Sequence, residues 1–192
     1  PISQMQHLFV RCLCFRLLNA LLVQTYFDPD EFWQGPEVAH RLVFGYGHLT
    51  WEWAVGLRTI GFPLLFTPPY QLLKVLHIDA AWLVAWSPRV VSVAIAAGTD
   101  VGVHTIAHKL FGSRAAGWSL TCQLLCWFNI YCLPRTFSNC LEALLVVWSL
   151  VLWPGLLIKQ AAHTEPSGCS GAWTPSLLLA AEFGSCFEAA RL

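Results

Sequence analysis

Charge is what this sequence has least of. Lys, Arg, Asp and Glu make up 11% of its 192 residues, while 56% are hydrophobic. Soluble domains carry roughly 25% charged residues, so this balance points to a membrane protein. The formal net charge is zero, which removes the basic field that nucleic-acid partners require. No CxxC pair occurs among the eight cysteines, so the spacing offers no structural zinc framework. Cys12, Cys14, Cys122, Cys126, Cys132 and Cys140 lie in or beside apolar runs, where a thiol behaves as a small hydrophobe. A glycine-rich phosphate loop, a nucleophile elbow and a dinucleotide fingerprint are all missing, which argues against a soluble nucleotide-sugar or nucleoside-triphosphate site. His104 and His108 share a helical face, but Thr105 stands where a metalloprotease needs Glu, so no metal is expected.

What is present is a series of apolar runs. They predict an all-α, polytopic membrane chain with four to five spans and a lumenal loop of short interfacial helices. Residues 8–26 are long enough to cross the roughly 30 Å hydrocarbon layer, with Arg11 and Arg16 expected to snorkel to a cytosolic interface. Residues 27–59 then form a lumenal loop. Pro63, Pro68 and Pro69 interrupt residues 60–78, which therefore read as interfacial or re-entrant. Further spans are expected at 80–108, 115–133 and 139–158. The basic Lys109–Arg114 turn, and Lys159 with His163, are expected on the cytosolic side. Residues 173–181 start a partial span or a divergent tail. This topology puts the 27–59 loop and the Arg135 stretch on one face.

One stretch breaks the apolar pattern. Phe27 to Trp53 reads FDPDEFWQGPEVAHRLVFGYGHLTWEW and holds five of the eleven acidic residues: Asp28, Asp30, Glu31, Glu37 and Glu52. Pro29 suits a helix start with Asp28 as its cap and Asp30 and Glu31 in the first turn. A short amphipathic helix is predicted to run to about Phe44, Gly45-Tyr46-Gly47 to end it, and Thr50 to Trp53 to open another turn. Trp33, Trp51 and Trp53 fit the headgroup layer.

A carboxylate partly desolvated at a membrane face can serve as a general base, and Asp28, Asp30 and Glu31 are the candidates. From spacing alone, the same residues fit a capped helix with solvated acidic neighbours better than a base. Arg135, Arg58 and Arg89 could each fork onto a phosphate; an interfacial anchor explains such arginines as well. His40 and His48 flank the acidic stretch and could orient a substrate. Glu142 could pair with an arginine inside the bundle.

The stretch resembles the first lumenal loop of the dolichol-phosphate-mannose-dependent mannosyltransferases of glycosyltransferase family 22. Trp86-x-Pro88-Arg89 and Tyr131-Cys-Leu-Pro-Arg135-Thr136-x-Ser-Asn139-x-x-Glu142 extend the likeness, nearest to the branch that adds the third mannose to the glycosylphosphatidylinositol (GPI) precursor. The resemblance implies a GT-C membrane fold in the endoplasmic reticulum. It implies inverting α-1,2-mannosyl transfer from dolichyl-phosphate-mannose to a GPI-lipid acceptor, with no cofactor. It maps the catalytic base onto Asp30, with Glu31 second, and substrate contacts onto Arg58, Arg89, Arg135, His40 and Glu52. Asp28 stands where many relatives have His. The motifs run from Arg16 to Pro154 and are expected to fade beyond it, so the chain reads as an N-terminal portion of a longer enzyme. The alternatives are a sister enzyme of dolichol-linked N-glycan assembly and a non-catalytic membrane fragment.

Overall fold

A computed structural model describes residues 2–78, 80–153 and 155. The expected features at Lys159, His163 and 173–181 lie outside the described residues. Those described form helices only: α1 (Ile2–Leu22), α2 (Asp30–Trp33), α3 (Pro36–Phe44), α4 (Trp51–Ala54), α5 (Gly61–Leu64), α6 (Thr67–Val75), α7 (Ala81–Phe111), α8 (Ser113–Leu125), α9 (Trp127–Cys132) and α10 (Ser138–Leu152). Two of them, α1 and α7, are long and apolar enough to cross a membrane.

The central element is α7, which packs against α1, α6, α8 and α10. At 31 residues it is about 46 Å long at 1.5 Å per residue. Pro88 lies inside it and cannot donate to the carbonyl of Val84. The Ser87 hydroxyl donates to that carbonyl instead, at 3.1 Å. Small residues let α10 come close. A Cβ on Gly98 would stand 2.9 Å from Leu144, and one on Gly102 would collide with Val147. The Trp148 indole donates to the Gly98 carbonyl at 3.1 Å, so this is a small-xxx-small contact of the membrane-helix kind. At the far end, the Lys109 ammonium donates to the Val151 carbonyl at 2.9 Å, satisfying an open carbonyl of the last turn of α10.

Arg16 corrects an expectation. It is fully buried and does not snorkel. Its Nε and Nη2 donate to the two carboxylate oxygens of Asp100 at 2.7 and 2.8 Å, and Nη1 donates to the Asn129 carbonyl at 3.1 Å. A charge held inside apolar packing needs such a partner, and Asp100 supplies it from 84 residues away. Cys12, Arg16, Asn19 and Ala20 form the buried face of α1, at spacings of four, three and one.

Where residues 115–133 were expected as one span, the helix breaks at Cys126, whose ψ of 116° is extended. The Asn129 amide donates to the Gln123 carbonyl and side-chain oxygen at 3.3 and 3.0 Å, covering part of the break. The first helix ends at Leu22, short of residue 26, because Arg135 holds the Thr25 carbonyl at 2.7 Å and draws the following chain out of helical form. The proline-bearing segment forms α5 and α6, which pack on α3 around Phe66 and Tyr70.

Candidate functional site

The acidic stretch folds into three short helices joined by turns. Asp28, expected as the cap, stands one residue before the cap position of α2, which Pro29 occupies; its carboxylate accepts the Asp30 N–H at 3.0 Å. The helix from Pro29 does not run to Phe44; Gly35 and Pro36 divide it into α2 and α3. A Cβ at Gly35 would stand 2.8 Å from both Phe62 and Phe66, so only glycine lets α5 and α6 approach. Gly45 ends α3 in the left-handed region with φ 87°. The loop after it is fastened back to one turn of α3. His40 Nδ1 donates to the Tyr46 carbonyl at 3.2 Å, Arg41 donates to the Gly47 carbonyl at 3.1 Å, and Glu37 accepts the His48 N–H at 3.0 Å. A carbonyl can only accept, so the proton of His40 is on Nδ1.

The Arg135 stretch converges on this unit. Glu31 and Arg135 are an ion pair at 2.8 Å with both side chains 3% exposed. Arg135 also donates to the Tyr131 carbonyl at 2.9 Å, the Thr25 carbonyl at 2.7 Å and the Thr25 hydroxyl at 3.1 Å. Its guanidinium lies 4.3 Å from the Tyr131 ring centroid. The Thr136 hydroxyl donates to the Glu31 carbonyl. Arg135 thus has its N–H groups committed inside the protein, and Glu31 has its charge offset.

Asp30 is exposed, with Asp28 half-buried beside it. Both line a cavity of about 590 Å³ together with Gln34, Arg58, Asn129, Ser138 and Asn139. Arg58 is bidentate on Glu52, at 2.9 and 3.3 Å. That bond raises its pKa above the usual arginine value, with burial opposing it and the charges of Glu52 and Asp30 adding to it. Glu142 is exposed and forms no ion pair among the described residues; it lines a cleft with Arg58, whose guanidinium is bonded to Glu52.

Arg89 and His40 belong to a different cavity, of about 400 Å³, between α3 and the first turns of α7. His40 packs tilted against Phe44 and edge-on to Tyr46 and Tyr70, at centroid distances of 4.7, 4.9 and 5.8 Å. Burial pushes the Tyr70 hydroxyl far above its ordinary pKa, and the charge of Glu37 adds to this. The guanidinium of Arg89 lies 5.0 Å from the Trp86 ring centroid. The sequence-predicted residues therefore divide: Asp30, Arg58 and Glu52 gather on one side of α2, His40 and Arg89 on the other, with Glu31 and Arg135 between. Tyr70 was missed because it sits in a proline-rich run whose packing partners are distant in sequence. Glu37 was visible only as one more acidic residue.

The Alg9-like mannosyltransferase family model matches residues 7–188. This chain belongs to that family. The match reaches past Pro154, so the likeness continues beyond the point where it was expected to fade. The chain is similar to Mannosyltransferase APTG1 of Arabidopsis thaliana, 46% identical over 153 residues, covering 80% of this chain and 28% of that protein. It is 40% identical over 148 residues to GPI alpha-1,2-mannosyltransferase 3 of Homo sapiens, covering 77% and 27%. It is 44% identical over 134 residues to GPI mannosyltransferase 3 of Schizosaccharomyces pombe, covering 69% and 26%. The chain thus spans about a quarter of the length of these Alg9-like relatives. No solved structure matches it.

Proposed function

We propose that this chain carries the base-bearing portion of a GPI mannosyltransferase, a multi-pass protein of the endoplasmic reticulum membrane. The full enzyme transfers the third, α-1,2-linked mannose from dolichyl-phosphate-mannose to the GPI precursor on the lumenal face. The names of the relatives support the reaction. The observation that carries the site is the exposed Asp30 in a cavity with a second carboxylate and an arginine.

In this reading Asp30 takes the proton of the acceptor hydroxyl as that oxygen attacks the anomeric carbon. Glu31 is a poorer base because its carboxylate already serves Arg135. Glu31 and Arg135 are positioning residues that fix α2 against the 131–136 segment, while Glu52 orients Arg58 toward the cavity. Arg89 and His40 contact substrate from the other side of α2.

Restoring GPI-anchored surface proteins in cells that lack the third-mannose enzyme tests the reading. A full-length version should restore them, and Asp30→Asn in that version should abolish rescue at unchanged expression. Retained rescue by Asp30→Asn would remove Asp30 as the base. Rescue by the full-length version and none by residues 1–192 would assign this stretch a partial role in the site.

A further inference from the structure

The cavity that holds Asp30 continues past Arg58. Gln34, Arg58 and Ser138 line it and also line a cleft of about 350 Å³, so the two spaces adjoin. Trp53 and Glu142 belong to the cleft alone. We propose that the cleft is a second saccharide subsite, which holds the acceptor sugar next to the one whose hydroxyl Asp30 deprotonates. This rests on the mannosyltransferase reading, in which a third mannose joins an acceptor that already carries two, and adds to it where the inner one sits.

Gln34 stands at the junction. It is 9% exposed, and its backbone N–H is spent on the Asp30 carbonyl at 3.3 Å. Its side-chain amide has no hydrogen-bond partner among the described residues, although the residue borders both spaces. Buried polar groups are ordinarily paired, and one left open is costly. The amide offers an acceptor oxygen together with N–H donors. Neighbouring hydroxyls of a pyranose, each both donor and acceptor, meet that need.

Glu142 supplies a second polar group. It follows Ser138 by four residues on α10, a spacing that puts both side chains on one helix face. Its carboxylate is exposed and makes no ion pair among the described residues. An ionised carboxylate only accepts hydrogen bonds, so hydroxyl donors suit it. Arg58 in the same cleft is already bidentate on Glu52, so a neutral polyol fits better there than an anion. Trp53 completes the wall. Its indole N–H donates to the Trp33 carbonyl at 3.3 Å, which holds the ring in place as an apolar surface for the C–H face of a sugar. An aromatic wall with a few convergent polar groups is the usual make-up of a small-ligand pocket.

Binding of two acceptor analogues to the purified full-length protein in detergent tests the subsite without turnover. One analogue ends in two mannoses and the other in a single mannose. The parent protein should bind the longer one at least tenfold more tightly. Gln34→Ala and Glu142→Ala should each cut that preference to under threefold and leave the affinity for the shorter analogue within twofold. Glu142→Gln, which keeps an acceptor oxygen, should retain part of the preference. In the complete reaction, Glu142→Ala should raise the KM for the longer acceptor at near-parental kcat, with the KM for the donor within twofold. A parent that binds both analogues alike would overturn the subsite, as would variants that weaken both analogues equally or neither. A preference that depends on Gln34 and Glu142 in a protein that fails cellular rescue would instead overturn the mannosyltransferase reading and leave the saccharide site standing.

Discussion

Removing the carboxylate of Glu31 would leave the guanidinium of Arg135 buried with only carbonyl and hydroxyl partners. Both side chains are 3% exposed, so water cannot take the place of the missing charge. Breaking a buried pair in this way costs about 3–5 kcal/mol. Glu31→Gln should therefore lower the unfolding midpoint in detergent by several degrees. Arg135→Lys should do nearly as much, because one ammonium cannot serve Glu31, Tyr131 and both oxygens of Thr25 together. Thermal unfolding followed by tryptophan fluorescence checks this. A midpoint unchanged in both variants would show that the pair adds nothing to the fold. The contrast with Arg58 and Glu52 is one of exposure. Those side chains are 35% and 27% exposed, so their bond is worth under about 1 kcal/mol, and its role is to orient Arg58.

Among the elements, the α7–α10 contact depends most on a single choice of residue. Gly98 and Gly102 stand one helical turn apart, and α10 rests against both. Gly102→Leu would force the helices apart at the Val147 and Trp148 contacts, an overpacking cost of about 1–3 kcal/mol, and the Trp148 bond to the Gly98 carbonyl would be lost as well. Cysteines placed on facing turns of α7 and α10 should crosslink in the parent protein and far less in Gly102→Leu; equal crosslinking would mean that the helices accommodate the side chain. This glycine pair was not anticipated, although its spacing is a signal in the sequence, and the break at Cys126 was harder still to see. Its trace in the sequence is Gln123 and Asn129, two amides in an apolar run, and their hydrogen bonds have meaning only once the helix is known to stop. The turn chemistry was legible at closer range. The bond from the Asp30 N–H to Asp28 and the helix stop at Gly45 depend on neighbours within a few residues, and both follow local rules.

Across the whole molecule, what sequence hides is pairing at a distance. That the acidic stretch and the Arg135 stretch come together was expected from counting spans, yet the particular contact of Glu31 with Arg135 was not. Arg16 is the sharper case, because an arginine near a helix end reads as interfacial until its partner on another helix is known. Its three bonds join α1, α7 and α9, and Asn129 of α9 also lines the Asp30 cavity. Arg16→Met or Asp100→Leu alone would leave a buried charge unmatched, at about 3–5 kcal/mol. The double variant removes both charges from apolar surroundings and should recover most of that loss, since packed apolar residues replace buried pairs at little cost. It cannot replace the bond from Arg16 to the Asn129 carbonyl, so α9 should lose its fixed position beside the cavity. A double-mutant cycle in unfolding, combined with cellular rescue by the full-length version, separates the two effects. The expected result is near-parental stability with rescue reduced several-fold. Full rescue by the stable double variant would confine Arg16 and Asp100 to holding the fold, and single variants as stable as the parent would deny them even that.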